Sequence, residues 1–326
     1  MSSHPPSQPV LALDVGGTKL AAGVVAPDGM LRSLCQVETG VGEGPAAVVK
    51  RLMELGEQAL AESGVQTGPS GERVVAVGVG CGGPLDPRTG VILGPPGLPG
   101  WDEIPLGRMV AERFGLPTYV ENDATAAALG EYRWSGWDVR SLVYLTVSTG
   151  FGGGVVADGK LFRGAAAQGG ELGHVVVDWQ GRACGCGARG CAEAYVSGTS
   201  IARRATEAVA DRPDSSLAKL TAITAKDVAD HARAGDDVAR ATWDETTAML
   251  GRMVAVLINV CEPELVVLGG GVTRAGSELL DPVREAALRQ AMPPAAKACD
   301  VVLSRHGDAV GVLGAAAIAY ERLGAL

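Results

Sequence analysis

The sequence predicts an α/β protein made of two similar halves, each opening with a glycine-elbow hairpin. Three observations predict it. Short apolar, strand-like runs alternate with stretches of helical spacing and long connections. Glycine supplies 47 of 326 residues, about double the usual share, and falls in short clusters between those runs. The same grammar also recurs at an offset of 131: Leu11 aligns with Leu142, Thr18 with Thr149, and Gly23 to Ala26 with Gly154 to Ala157. One residue of slip then aligns Asp28-Gly29 with Asp158-Gly159.

The elements follow in order. Val10 to Val15 is an apolar run ending in Gly16-Gly17-Thr18-Lys19, and Leu20 to Ala26 returns before the turn Pro27-Asp28-Gly29, which is a hairpin pattern. Residues 45–63 have helical spacing, with Val48, Leu52, Leu55 and Leu60 near one face. Val74 to Val79 reads as a buried strand and Leu106 to Phe114 as a helix. Thr118 to Val120 reads as a strand leading through Glu121-Asn122-Asp123 into an Ala-rich helix, Ala124 to Tyr132. The second half repeats strand (Leu142 to Val147), Gly-rich bend (Ser148 to Gly154) and strand (Val155 to Ala157). It continues with helices from about Gly198 to Leu257, strands at Leu265 to Leu268 and Val301 to Leu303, and a terminal helix, Gly314 to Leu323.

Composition bounds the function. A chain of 326 residues predicts about two domains. At 47% hydrophobic and 20% charged it buries a real core, and with aromatics at 4% that core is Ala, Val and Leu. A net charge of −9 without a long basic run argues against nucleic acid and anionic membrane as partners. No apolar stretch reaches the roughly 18 residues of a membrane span. Met1 to Pro9 is Pro/Ser-rich, lacks a signal peptide's pattern, and reads as a frayed tail of a cytoplasmic protein. Of seven cysteines, Cys184, Cys186 and Cys191 cluster as metal ligands, while Cys35, Cys81, Cys261 and Cys299 read as buried small hydrophobes. Trp101, Trp134, Trp137 and Trp179 are isolated and read as packing or loop anchors.

Four motifs carry chemistry. In Asp14-Val-Gly-Gly-Thr-Lys19 two glycines let the backbone approach an anion; Thr18 and Lys19 can hold phosphate, and Asp14 can bind magnesium. The spacing fits neither a P-loop nor the dinucleotide fingerprint. In Glu121-Asn122-Asp123 a carboxylate at a strand end can take a proton from a hydroxyl that the amide orients. Asp123 also reads as the helix N-cap. Cys184-x-Cys186-x4-Cys191 with His174 ten residues upstream makes a four-ligand zinc set without an obvious open position, hence a structural site. Glu171 and Glu193 flank it and can hold sugar hydroxyls or be plain surface acids. Gly269-Gly270-Gly271 after a strand is a close-approach turn for a ring or phosphate, or only a tight connection.

Together DVGGTK, GCGGPLD, ENDATAAALGE, TVSTGFGGGVV, GGELGH, CGCGARGCAE and LVVLGGGV, in this order from about Val10 to Leu323, resemble the ROK family, most of all its bacterial glucokinases. The resemblance implies an actin-like (ribonuclease H-like) ATPase fold of two α/β domains around a cleft. The small domain would hold residues 1–122 plus 313–326, and the large one residues 123–312 with the zinc loop. It implies an ATP-dependent hexokinase of carbohydrate metabolism (glycolysis) that transfers the γ-phosphate to the glucose 6-hydroxyl, with Asp123 as general base. Asp14 would lie near Mg²⁺, Gly16, Gly17, Thr18, Lys19, Thr149 and Gly150 around the phosphates, and Gly270 and Gly271 near the nucleoside. Gly83, Asn122, Glu171, His174 and Glu193 would contact the sugar. His174, Cys184, Cys186 and Cys191 would bind structural Zn²⁺, so one His174 nitrogen would face zinc and the other the sugar. A homodimer or tetramer is implied as well. N-acetylmannosamine, mannose, fructose or allose are alternative substrates, and polyphosphate an alternative donor. A sugar-responsive repressor is disfavoured by the nine residues before the first strand and by the acidic charge. A binding-only role is disfavoured by Asp14, Asp123 and both glycine loops.

Overall fold

Val10–Val15 (β1) and Lys19–Val25 (β2) pair antiparallel, and Leu31–Glu38 (β3) extends the hairpin. The computed structural model describes residues 8–65 and 72–324; most of the expected N-terminal tail lies outside the described residues. Pro45–Ser63 (α1) starts with Pro at its first position and ends on Gly64 in the left-handed conformation. Val77–Cys81 (β4), the two-residue strands Leu85–Asp86 (β5) and Val91–Ile92 (β6), Leu106–Phe114 (α2), Thr118–Asn122 (β7) and Asp123–Trp134 (α3) follow. The first sheet has the order β3-β2-β1-β4-β7, with β1, β4 and β7 parallel.

Alternation along β1 sorts its side chains. Leu11, Leu13 and Val15 join a core with Val48, Leu52 and Leu55 of α1, whereas Val10 and Ala12 face a second cluster on the other side of the sheet. That cluster comes from the last helix, Val310–Arg322 (here numbered α10), through Val312, Ala315, Ala316 and Ala319. The Ala-rich composition has a packing reason. A methyl at Gly130 of α3 would lie 2.8 Å from Gly314 N, so the two helices meet backbone to backbone.

The second unit repeats the plan. Leu142–Val147 (β8) and Phe151–Ala157 (β9) form the hairpin, followed by Lys160–Leu161 (β10), Glu193–Val196 (α4), Gly198–Val209 (α5), Ala225–Arg233 (α6), Asp237–Cys261 (α7), Leu265–Gly269 (β11), Ser277–Gln290 (α8), Pro293–Ala298 (α9) and Asp300–Leu303 (β12). Its sheet order, β10-β9-β8-β11-β12, mirrors the first, with β8, β11 and β12 parallel. Leu11 pairs with Val24 and Leu142 with Val156, so the second hairpin is one residue longer than the first, and the structural equivalent of Val24 is Val156 instead of the Val155 that the offset of 131 aligns with it. Caps fix the helix starts: Ser197 for α5, Thr224 with Asp227 in a capping box for α6, and Asp236 for α7.

The compact units are 1–138, 161–169 and 305–326 on one side, and 139–160 and 170–304 on the other. The expected break at 122/123 therefore shifts: α3 stays with the first unit because it packs on α10 and β4. The start of the last helix, from Val310, belongs there too. Cys35, Cys81 and Cys299 are buried as expected, while Cys261 is half-buried. Trp101 is buried, Trp134 meets Tyr320 edge-on, and Trp137 lies under Arg305. Trp179 is 91% exposed, at the Asp178–Gly181 turn, so the packing role expected of it is not realised.

Candidate active site

The C-terminal ends of three parallel strands bring one set of predicted residues together. Asp14 pairs in register with Gly80, and Gly80 with Glu121; Asn122 and Asp123 follow at the strand-to-helix junction. Such strand ends are where open α/β sheets bind ligands. Asp14 and Asp123 flank Gly80, where an added methyl would lie 3.6 Å from Asp14 Oδ1 and 3.6 Å from Asp123 Cα. The N-cap expectation is corrected here. Asn122 caps α3, its Oδ1 accepting from Thr125 N at 3.0 Å, and Asp123 occupies the first helical position with Oδ1 accepting from Ala124 N at 2.8 Å. The side chain with two donors, an amide, makes the cap with its oxygen and keeps Nδ2 as the group it can offer a hydroxyl.

The electrostatics single out Asp14. Burial, then the neighbouring Asp123 charge, pushes its carboxyl up to about 7 against the pull of Lys19. A methyl at Gly311, in the first turn of α10, would land on the Asp14 carboxylate, so only glycine leaves that seat open. Neither Gly311 nor this contact was legible from sequence. Lys19 Nζ lies 3.2 Å from Gln36 Oε1 and 3.9 Å from Asp308. In the bend, Gly17 and Thr18 are exposed, and Thr39 Oγ1 donates to Gly16 O at 2.7 Å. Gly83 lies in the bend after β4 and precedes Pro84 through a cis peptide.

A raised carboxyl has a defined sign in stability. The folded state binds the extra proton between the ordinary carboxylate value and about 7. The stability that this proton gives is full below about 4 and is lost as pH rises through about 7. Asp14→Asn is therefore expected to raise the melting temperature of ligand-free protein at pH 8. The gain should shrink towards pH 4 and stay below about 4 kcal/mol, since the carboxyl is only half-buried. Thermal melts of both proteins across pH 4–9 check this.

In the second unit the bend after β8 is tied to the start of α5. Gly198 N donates to Ser148 O at 2.7 Å, and Thr199 Oγ1 donates to Thr149 O at 2.9 Å. Thr149 and Gly271 both line a cavity of about 620 Å³, together with Thr199, Ile223, Ala229 and Trp243. Its wall on α6, including Lys226 and Asp230, was not foreseen, because those residues read as an ordinary amphipathic helix. Gly270 takes a positive φ (89°), and an added methyl there would lie 2.5 Å from Val147 O. A cavity of this size, part apolar and flanked by an exposed glycine bend, suits a ring system carrying phosphates.

The Cys/His set also converges. The ligand atoms of His174, Cys184, Cys186 and Cys191 lie within 4.8 Å of one another. Cys184 Sγ is 3.7 Å from His174 Nδ1, and Cys186 Sγ is 3.7 Å from Cys191 Sγ. Tetrahedral zinc at about 2.3 Å from sulfur requires edges of about 3.8 Å, so the donor set fits. Burial and the neighbouring thiols push Cys191 up to about 12. Without a cation that thiol stays protonated, and binding one would displace protons. Nδ1 faces the cysteines, so Nε2 is the nitrogen left for another partner.

Glu193 connects this cluster to the second bend. Its Oε1 accepts from Phe151 N at 3.3 Å, while Oε2 lies 3.8 Å from Cys184 Sγ and 3.9 Å from His174 Nδ1. Glu171 is exposed and starts the 3-10 turn that carries His174.

Two units of like topology, each with a glycine elbow between its first two strands, define the class: an actin-like ATPase fold, and within it a sugar kinase, a phosphotransferase. The ROK family model matches residues 10–322, and the chain belongs to the ROK family. A glucokinase of Thermotoga maritima is 37% identical over 98% of this chain and 99% of that protein. An N-acetylmannosamine kinase of Escherichia coli is 34% identical over 95% of this chain and 97% of that protein. Among solved structures, a ROK glucokinase from Streptomyces griseus in complex with glucose and AMPPNP is 33% identical, with a TM-score of 0.80 over 94% of this chain and 98% of that one.

Proposed function

We propose that the chain is an ATP-dependent glucokinase in which Asp123 is the general base. The observation that carries the reading is the division of labour at the β7–α3 junction. Asn122 makes the cap, so the Asp123 carboxylate sits at the strand ends beside Asp14 instead of closing its own helix. The relative that binds glucose and AMPPNP supports ATP as donor and glucose as acceptor.

In this mechanism Asp123 accepts the proton of the sugar 6-hydroxyl as that oxygen bonds to the γ-phosphorus; the bond from phosphorus to the bridging oxygen breaks and ADP leaves. Asn122 orients the hydroxyl through Nδ2. Gly16, Gly17, Thr18, Lys19, Thr149 and Gly150 are the residues assigned to the phosphates. Gly270, Gly271 and the cavity on α6 hold the nucleoside. Gly83, Glu171, His174 and Glu193 fix the sugar. Asp14 is the residue that would hold Mg²⁺, directly or through water; when bound, that ion neutralises charge on the transferring phosphates. His174, Cys184, Cys186 and Cys191 would hold structural Zn²⁺, which would cross-link the chain next to Glu171 and Glu193.

The test is the initial rate with Mg-ATP, and separately with polyphosphate, across glucose, mannose, N-acetylmannosamine, N-acetylglucosamine, fructose and allose. The expected result is the highest kcat/KM for glucose with ATP. A higher value for N-acetylmannosamine would move the substrate assignment towards the Escherichia coli relative while keeping the base.

A further inference from the structure

Residues 161–169, Leu-Phe-Arg-Gly-Ala-Ala-Ala-Gln-Gly, cannot hold themselves in place. Only Leu161 is buried; Phe162, Gly164, Ala165, Ala166 and Gln168 are exposed. Ala167 takes φ 55°, a left-handed conformation that costs an alanine about 1 kcal/mol or more. Gly169 N donates to Arg163 O at 2.8 Å and closes the segment into a small loop. Beyond Leu161, which belongs to β10, two side chains anchor the strap.

Arg163 Nε donates to Glu121 Oε2 at 2.7 Å, and its terminal nitrogens reach both Glu321 oxygens on α10. Glu121 is 1% exposed, and a carboxylate so deeply buried needs a paired cation. Its other oxygen accepts from Asn122 N at 3.2 Å. At the far end of the strap the Gln168 side-chain amide donates to Leu85 O. The chain positions are telling. Glu121 immediately precedes Asn122-Asp123, Leu85 stands two residues after Gly83, and Gly169 stands two residues before Glu171.

We propose that Arg163 and Gln168 are positioning residues of the sugar site: their two anchors hold one strap against the strand and bend that carry Asn122 and Gly83. This rests on the sugar-kinase reading of Gly83 and Asn122. Neither residue touches the sugar. Their effect falls on sugar affinity, while the nucleotide cavity, built from other residues, is left alone.

The experiment uses the full-length metal-loaded protein. Arg163→Gln alone strands the Glu121 charge and risks unfolding, so the pair Glu121→Gln/Arg163→Gln is made with it, exchanging the ion pair for a neutral amide contact. Gln168→Ala tests the second anchor independently. Glucose KM and calorimetric Kd, ATP KM, kcat and melting temperature are measured for each. Folded Gln168→Ala and the double variant are expected to raise glucose KM and Kd about tenfold with ATP KM within about twofold of wild type. Glucose KM and Kd unchanged in both folded variants, or an equal rise in ATP KM, would overturn the strap. If the wild-type protein binds no hexose, the sugar reading falls and takes the strap with it. Glucose binding by wild type alongside unaffected variants overturns the strap alone.

Discussion

Asp123→Asn is expected to lower kcat with glucose and Mg-ATP by about 10³-fold, within the range general-base removal gives, while the protein stays folded and binds glucose with nearly wild-type affinity. The structure explains why the change is so selective. Asn keeps an oxygen to accept the Ala124 N–H that Asp123 Oδ1 takes at 2.8 Å, and the N-cap on Asn122 is untouched. The helix loses a favourable negative charge in its first turn, worth about 0.3–1 kcal/mol. What disappears is the carboxylate at the β7–α3 junction to which the proposal gives the proton. A second signature follows. The Asp123 charge is among the causes that raise Asp14, so in the variant the Asp14 carboxyl moves back down towards the ordinary range. The fall in ligand-free stability with rising pH then shifts to lower pH. Steady-state kinetics, glucose calorimetry and thermal melts across pH check the three parts together.

Removal of the proposed zinc is the second large expected effect. The loop from Val176 to Cys191 has little core of its own. It is pinned by isolated bridges at Val176–Cys191 and Ala183–Arg189 and carries Gly181, Gly185, Gly187 and Gly190. Cys184 and Cys191 are buried, and with His174 and Cys186 they are the residues that would cross-link the loop through the proposed zinc. Chelation, verified by metal analysis, is expected to cost at least about 3 kcal/mol, which for a unit of this size lowers the melting temperature by roughly 6–12 °C. Glucose affinity should fall with it, because His174 starts from the same cluster and Glu193 Oε2 lies 3.8 Å from Cys184 Sγ. Unchanged melting after confirmed metal loss would contradict a structural metal. A lower melting temperature with unchanged glucose affinity would separate the loop from the sugar site.

Local patterns were readable in the sequence where one element produces them. Short apolar runs and the 131-residue offset predicted the opening hairpin of each half and the parallel strands beside it, but not β3, of which only Cys35 is buried. Helical spacing predicted α1, whose Val48, Leu52 and Leu55 are buried and whose Leu60 packs at the core margin. The Cys/His spacing predicted a cluster that does converge. What stayed hidden depends on distant partners. Asn122 and Asp123 are both good caps in isolation, and only the junction geometry assigns the cap to Asn122. Gly311 looks like any helical glycine until the Asp14 carboxylate is found against it. Arg163 in a Gly/Ala stretch gives no hint that it answers a buried Glu121 and Glu321, 42 and 158 residues away. The unit boundary misplaced at 122/123 has the same origin, since helix α3 is held by α10, nearly two hundred residues on.

The most direct test of the central claim follows the phosphate itself. Purified metal-loaded protein is incubated with glucose and Mg-ATP labelled in the γ-phosphate, and the product is resolved by position. The account predicts label on the glucose 6-oxygen at the rate ADP appears, and its near-complete loss in folded Asp123→Asn. Label at another hydroxyl, ADP formation with the phosphate on water alone, or undiminished transfer by the variant would contradict it.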